Sequence, residues 1–404
     1  MLVSLVILCG LCMGMERLLR FLHLPRLISY LLVGMLIGPY GLNIISVSLQ
    51  ESSALLRTIA LIIILVRAGL SLDLSQLNTL KRPMILLSFV PALFEMIGYV
   101  MLAPFILGIN YAEALLMGTV LAAVSPAVIV PRMIDLEQKG LGVDKGIPSL
   151  VLAGASLDDI AVLVVFSSAL RFVKAGQFNG WDLLKIPLNI VLGIAVGVCV
   201  GWIVSIIYHK IVAHFSWPQV VLTVGTFGVA FIVYQGETYL SHWLPYSGLL
   251  AVMTLFIIMN RRLTSQTVEK LSQHYQKMWG LGEMVLFGLV GALVNIPYAM
   301  IAGPQVLLLI GLTLIFRVGA VILSLMGTPL TFKERFFVCI AYLPKATVQA
   351  AIGGIPLAEG LLSGQMILTT SIWGILLTAP LGAWSIDRLA PIFLKKRKDK
   401  MESI

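Results

Sequence analysis

Long apolar runs recur along the whole chain, separated by short polar segments. We count thirteen runs long enough to cross a bilayer, or to half-cross it where Gly and Pro intervene, since a membrane-spanning helix needs about 20 mostly apolar residues. They lie near residues 1–18, 27–40, 54–70, 83–107, 112–131, 148–170, 184–207, 218–234, 245–260, 276–296, 303–326, 335–356 and 365–385. The pattern predicts an all-α polytopic membrane protein, with residues 1–404 forming a single transmembrane unit.

The composition supports this class. Of 404 residues, 59% are hydrophobic and only 12% are charged, about half the charged share of an average soluble domain. A soluble protein could not cover so much apolar sequence with so few charges. The composition therefore supports a membrane protein and excludes a soluble domain.

The net charge of +9 does not indicate nucleic acid as a partner, because the basic residues are unevenly divided among the loops. Alternate loops hold 21 of the 28 Lys and Arg residues, and the opposite loops hold only Arg171, Lys174 and Lys185. The positive-inside rule then places the N-terminus outside and the C-terminus in the cytoplasm of a cell (inner) membrane. This alternation requires an odd number of spans. The short basic tail, residues 386–404, is interpreted as an anchor at the anionic leaflet.

Two spans carry interruptions at corresponding places. Span five contains Pro126, and span twelve contains Pro344 early and Gly353 and Gly354 late. Because proline removes a backbone donor and clashes with the preceding turn, both helices are expected to break. Paired breaks in two halves indicate the ion site of a transporter built from inverted repeats. The alternative is two unrelated proline kinks.

Two adjacent carboxylates, Asp158 and Asp159, lie in the middle of span six. A carboxylate at bilayer depth marks a functional site by default, and burial together with mutual repulsion disfavours ionisation of both. Such a group can hold a proton or a dehydrated alkali cation, Na⁺ or Li⁺, which couples the two fluxes. The hydroxyls of Ser125 and Ser156 are further candidate oxygen ligands. The alternative is an aspartate pair that only satisfies a neighbouring arginine.

Three further charges in apolar runs are candidates for a role at the site. Glu95 in span four and Arg317 in span eleven occupy equivalent places in the proposed repeats, and we expect them to form a buried ion pair. Arg317 could instead turn towards Asp158. Lys345 follows Pro344 and could neutralise the half-helix ends at that break, although a snorkelling lysine is the competing interpretation.

The sequence resembles the monovalent cation/proton antiporter superfamily, and within it the NHA branch of Na⁺/H⁺ antiporters with a double-aspartate motif. The matching stretches are YLLVGMLIGPYGLN, VRAGLSLD, AAVSPAVIVPRM, KGIPSLVLAGASLDDIAV, LFGLVGALVN and YLPKATVQAAIGG. The resemblance implies that Asp159 is the essential ion- and proton-binding carboxylate and Asp158 its partner. It also implies that Ser125 and Ser156 complete the shell, and that Glu95 and Arg317 form the pair found in this branch.

The same resemblance implies an NhaA-like fold of two inverted six-helix repeats, in which the broken spans five and twelve cross. It implies a homodimer in the lipid bilayer, transporting monovalent cations and protons without a cofactor, and a mobile core that slides like an elevator against a scaffold. The implied parts are a core at about 83–170 and 303–385, scaffold and dimer helices at about 1–70 and 218–296, and a linker helix at about 184–207.

One departure from the double-aspartate relatives concerns charge. Relatives such as NhaA have lysine where this chain has Arg317, and arginine does not deprotonate in practice. The two aspartates would then set the charge carried, which favours electroneutral one-for-one exchange.

Other functions are weighed against antiport. K⁺ could replace Na⁺ or Li⁺, since selectivity depends on cavity size and coordination number. A symporter of organic anions on the same architecture is the main structural competitor, and a channel suits the breaks and carboxylates less well. An intramembrane aspartyl protease needs aspartates on facing helices, whereas Asp158 and Asp159 are adjacent. No enzymatic activity is expected.

Overall fold

The computed structural model describes residues 1–22, 24–71, 81–175, 180–214, 217–240, 243 and 246–396. Within these ranges the chain is helical, and the only β-type pairing is an isolated bridge between Leu141 and Lys396. The α-helices are α1 (Leu2–Leu19), α2 (Arg26–Ile37), α3 (Val47–Glu51), α4 (Ser53–Ser71), α5 (Lys81–Leu107), α6 (Tyr111–Leu121), α7 (Pro126–Gln138), α8 (Ile147–Ala175), α9 (Gly180–His214), α10 (Gln219–Leu240), α11 (Gly248–Arg262), α12 (Ser265–Ala292), α13 (Ile296–Ser324), α14 (Phe332–Ala341), α15 (Thr347–Gly353), α16 (Ile355–Ala358) and α17 (Gly364–Phe393).

The predicted fold class is confirmed, and within the described residues nine helical stretches are long and apolar enough to cross a membrane. The other predicted runs fall on α2, α11, α12 and the segment α14–α16. Two of these helices are short, since α2 has 12 residues and α11 has 15. The first half of α12 is polar, because it reads SQTVEKLSQHYQK. The count of thirteen crossings stays a prediction.

The two interrupted spans each consist of separate helices joined by short non-helical segments. Residues 122–125 separate α6 from α7, and residues 342–346 separate α14 from α15. Pro126 takes the first position of α7, where a missing N–H costs nothing. The backbone N–H of Ser125 donates to the carbonyl of Pro344 at 2.9 Å. The two breaks therefore meet in space.

The glycines of span twelve lie beyond this meeting point. Gly353 is the last residue of α15, and Gly354 separates α15 from the single turn α16. An added Cβ on Gly354 would lie 2.2 Å from Nη1 of Arg57, so the glycine leaves room for a buried arginine of α4. The late glycines mark a second, smaller interruption of the span.

The helices pack into two groups. The break group consists of α5–α8 and α13–α17, in which α5 packs on α6, α8 and α13, and α17 packs on both pieces of each broken span. The flanking group consists of α1, α2, α4 and α9–α12, in which α2 and α4 pack on α12, and α4 and α9 pack on α11. The groups meet where α8 contacts α9 and α11, and where α15 contacts α4 and α12.

Candidate functional site

The break between α6 and α7 leaves backbone carbonyls without helical partners, and three side chains from the other repeat bind them. The carbonyl oxygens of residues 121–123 accept, in that order, from Lys345 Nζ (2.5 Å), from Arg317 Nη1 and from Gln349 Nε2 (2.8 Å). All three side chains are fully buried. Two of them are cations at the C-terminal end of α6, where the helix dipole concentrates partial negative charge.

Asp158 is held at this break by two donors. Its Oδ2 accepts from the backbone N–H of Val124 at 2.9 Å and from Arg317 Nη2 at 3.2 Å. The side chain is fully buried, and its Oδ1 has no hydrogen-bond partner within the described part of the chain. Asp158 therefore has a fixed position and one free acceptor atom.

Asp159, the next residue of α8, is 5% exposed and makes no hydrogen bond or ion pair with the described residues. Ser125 occupies the N-cap position of α7, but its buried hydroxyl makes no capping hydrogen bond and has no partner among the described residues. The side chain of Ser156 lies outside the described part of the structure. Unpartnered oxygens on Asp158, Asp159 and Ser125 are hard ligands of the kind that alkali cations prefer.

Glu95 of α5 lies between two cations. Its Oε2 is 2.6 Å from Arg317 Nη1, and its Oε1 is 2.6 Å from Lys345 Nζ. Arg317 thus contacts both of the carboxylates that the sequence offered as alternatives, Glu95 and Asp158. Lys345 does not snorkel, because it is fully buried and reaches the carbonyl at the end of α6.

The charges of this cluster balance except for one. Arg317 and Lys345 face the carboxylates of Glu95 and Asp158, which leaves Asp159 without a formal counter-charge among the described residues. A buried carboxylate that lacks a partner is expensive in its charged form. A bound proton or a bound cation would each neutralise it.

Sequence reasoning missed two residues at the site, Gln349 and Thr378. Thr378 of α17 accepts the backbone N–H of Lys345 at 2.9 Å, next to the second break. Gln349 lies four residues beyond Lys345 in a mostly apolar run, and a polar residue at this place was the available signal. Within the described residues, no group of three or more His, Cys, Asp or Glu side chains is suited to a resident metal ion.

Comparisons with known proteins give the family of the chain. A family model described as "Sodium/hydrogen exchanger, transmembrane" matches residues 3–390. The chain is 32% identical to Sodium/hydrogen exchanger 9B2 of Mus musculus over 390 residues, which cover 94% of this chain and 70% of that protein. It is also 32% identical to Sodium/hydrogen exchanger 9B2 of Homo sapiens over 404 residues, which cover 96% of this chain and 73% of that protein.

Among solved structures, the fold matches that of the sodium proton antiporter MjNhaP1 from Methanocaldococcus jannaschii at pH 8, with a TM-score of 0.81. The match covers 96% of this chain and 97% of that chain at 20% sequence identity. At this identity the match shows a shared fold.

Proposed function

The chain belongs to the transmembrane sodium/hydrogen exchanger family, and on that premise we propose that it exchanges Na⁺ or Li⁺ for H⁺, with Asp159 binding either ion. The membership places it in the monovalent cation/proton antiporter superfamily, as its sequence motifs predicted. Members of this family are transporters and not enzymes. The proposal concerns the ions, the binding residue and the mechanism.

The observation that carries the proposal is the uncompensated carboxylate of Asp159. Its neighbour Asp158 already has a hydrogen bond from Val124 and an ion pair with Arg317, so a further positive charge is best placed at Asp159. A proton and a small cation cannot both occupy one carboxylate at low cost. Their competition couples the uptake of one ion to the release of the other without a separate gate.

The remaining ligands of the cation come from α8 and from the break. The Oδ1 of Asp158 and the hydroxyl of Ser125 are buried oxygens without a hydrogen-bond partner among the described residues, and Ser156 remains a ligand proposed from its place in the sequence. Together with Asp159 these form an oxygen shell suited to Na⁺ or Li⁺. The site thus uses side chains from α8 and from the break before α7.

We also infer that exchange is electroneutral, with one cation for one proton. Arg317 does not release its proton in proteins, and Lys345 is held between Glu95 and the carbonyl at the end of α6. Arg317 therefore cannot carry a second proton, and we infer that Asp159 alone changes its occupant. A lysine at position 317 would have added another titrating group to the cluster.

The mechanism we propose is an elevator. The break group would carry the site across the membrane against the flanking group, with α9 as the linker, in a homodimer within the cell (inner) membrane. The two groups meet through few helices, which suits a sliding interface. The uneven distribution of basic residues supports an N-terminus outside and a C-terminus in the cytoplasm.

The proposal is tested in proteoliposomes that contain a pH dye, to which Na⁺, Li⁺ or K⁺ is added in turn. We expect Na⁺ or Li⁺ to drive proton movement in the wild type, with no such movement in Asp159→Asn. We also expect the rate not to change when a K⁺ diffusion potential is imposed with valinomycin.

Three outcomes would change the proposal. Exchange that persists in Asp159→Asn would move the binding site elsewhere. Proton movement with K⁺ alone would make the protein a K⁺/H⁺ antiporter. A folded wild type that moves no protons with any cation, but does so with an organic acid, would be an organic-anion symporter.

A further inference from the structure

The structure assigns a positioning role to Gln349, a residue that touches neither carboxylate. We propose that its amide fixes the peptide group between Ala123 and Val124, so that the N–H of this peptide points at Asp158 and the site keeps its affinity for the cation. This inference rests on the proposed function. It adds a residue that determines how well that function is performed.

The contacts of Gln349 fix the orientation of its amide. Nε2 donates to the carbonyl of Ala123 at 2.8 Å and lies 3.4 Å from the carbonyl of Leu121. Only the NH₂ group of the amide can donate hydrogen bonds to two carbonyl oxygens, because the amide oxygen would repel them. The side chain is fully buried.

The bound peptide connects Gln349 to the ion site. Its carbonyl, from Ala123, accepts from Gln349, while its N–H, from Val124, donates to Asp158 Oδ2 at 2.9 Å. A hydrogen bond on one side of a peptide group polarises it and strengthens the bond on the other side. Since the peptide belongs to a non-helical segment, it has no intrahelical bond to hold its plane.

Gln349 differs from its two neighbours at the break in carrying no charge. Lys345 and Arg317 bind the adjacent carbonyls, but each also balances a carboxylate, so their removal changes the charge of the whole cluster. Replacing Gln349 by an apolar residue leaves every charge in place. Its effect on transport therefore reports the hydrogen bond to the peptide.

Loss of the Gln349 amide is expected to weaken the binding of the cation and to leave the conformational cycle intact. A buried carbonyl without a donor favours rotation of its peptide, which withdraws the Val124 N–H from Asp158. Asp158, the carboxylate beside Asp159, then keeps Arg317 as its only donor among the described residues and is less well fixed. We expect the KM for Na⁺ to rise about tenfold, the equivalent of one lost hydrogen bond, with a maximal rate close to that of the wild type.

Two substitutions separate hydrogen bonding from packing. Gln349→Met keeps the volume but has no donor, whereas Gln349→Ala leaves a polar cavity in which water can donate to the carbonyls. If Gln349 acts through its hydrogen bond, Met raises the KM more than Ala. If it only fills space, Ala is the more harmful change.

The experiment measures Na⁺-driven proton movement in proteoliposomes for the wild type, Gln349→Met, Gln349→Ala and the control Gln365→Met. Gln365 of α17 makes no hydrogen bond with its Nε2 among the described residues, so its replacement should leave the KM unchanged. Each variant is first checked for a single peak in size exclusion and for its melting temperature. If Gln349→Met does not fold, Gln349→Leu replaces it, since leucine also lacks a donor and leaves every charge in place.

A tenfold rise in KM for Met, or for Leu in its place, with a smaller rise for Ala, is the expected result. A wild-type KM in the folded Met or Leu variant would overturn the inference, as would a larger rise in KM for Ala than for Met or Leu. A wild type that exchanges no cation for protons would instead refute the proposed function, and this parallel measurement keeps the two failures apart.

Discussion

Arg317 uses every nitrogen of its guanidinium group at the point where the two breaks cross. Nε donates to the carbonyl of Tyr342 at 2.6 Å, Nη1 contacts Glu95 and the carbonyl of Ala122, and Nη2 contacts Asp158. These partners belong to both breaks and to two further helices. A planar, permanently charged fork can satisfy them together, and a single ammonium cannot.

We therefore predict that Arg317→Lys destabilises the protein. A lysine could pair with one carboxylate, but the carbonyls of Tyr342 and Ala122 would lose their donors, at a cost of about 2 to 5 kcal/mol in free energy of unfolding. The melting temperature in detergent measures this loss. The control is Arg132→Lys, because Arg132 is part-exposed and pairs with the exposed Asp387. Equal melting temperatures for the two variants would contradict the prediction.

The charged residues of the site and Ser125 could be recognised in the sequence, whereas Gln349 and Thr378 were not. Glu95, Asp158, Asp159 and Arg317 each interrupt an apolar run, and a charge at bilayer depth needs a reason. Gln349 acts on a backbone carbonyl about 226 residues away in the chain. No pattern of side chains shows which backbone groups a break leaves free, because this depends on how the two breaks cross.

At the scale of single helices, α2 and α12 pack with their backbones in direct contact. A Cβ added to Gly34 would lie 2.0 Å from the carbonyl oxygen of Gly288, and one added to Gly291 would lie 2.2 Å from that of Leu31. Both obstacles are backbone atoms, which cannot rotate away as a side chain could. Glycine is therefore required on both helices, as in the close helix pairs of other membrane proteins.

We predict that Gly34→Ala destabilises this helix pair. The added methyl group must push α2 away from α12, and overpacking of this kind costs about 1 to 3 kcal/mol in free energy of unfolding. The melting temperature in detergent is the measurement. Gly311→Ala in α13 is the matched control, since an added Cβ there meets no atom within 4 Å. A Gly34→Ala variant as stable as Gly311→Ala would show that the helices separate at no cost.

The positions of the breaks could be predicted from proline, but their extent and the crossing could not. Pro126 begins α7 and Pro344 lies between α14 and α15, as their chemistry requires. The non-helical segments run over residues 122–125 and 342–346. Their ends depend on the hydrogen bond between Ser125 and Pro344, a contact between distant parts of the chain that no local signal indicates.

At the scale of the whole molecule, the ion pairs show where the two helix groups are joined. Arg132–Asp387 and Lys145–Glu334 connect helices or loops within the break group. Among the described residues, the ion pair that joins the break group to the flanking group is Arg171 of α8 with Glu237 of α10.

Further hydrogen bonds surround this ion pair. Arg171 also donates to the carbonyl of Tyr246 at 2.8 Å, and Glu237 accepts the N–H of Gly248 at 2.8 Å. The polar contact lies at the end of α8, the outer end in the predicted orientation. A sliding break group would have to release it in every transport cycle.

The elevator proposal then makes a prediction about cross-linking. Cysteines at positions 171 and 237, in a background without the four native cysteines, are joined by a short bifunctional methanethiosulfonate. We expect exchange in proteoliposomes to stop and to return when a reductant cleaves the link, because the cross-link prevents α8 from moving past α10.

The control joins positions 174 and 359, where Lys174 and Glu359 form an ion pair at 2.5 Å within the break group, and there the link should not slow exchange. If the 171–237 link were complete and exchange continued at the wild-type rate, α8 would not move relative to α10, and alternating access would have to come from smaller motions at the breaks themselves.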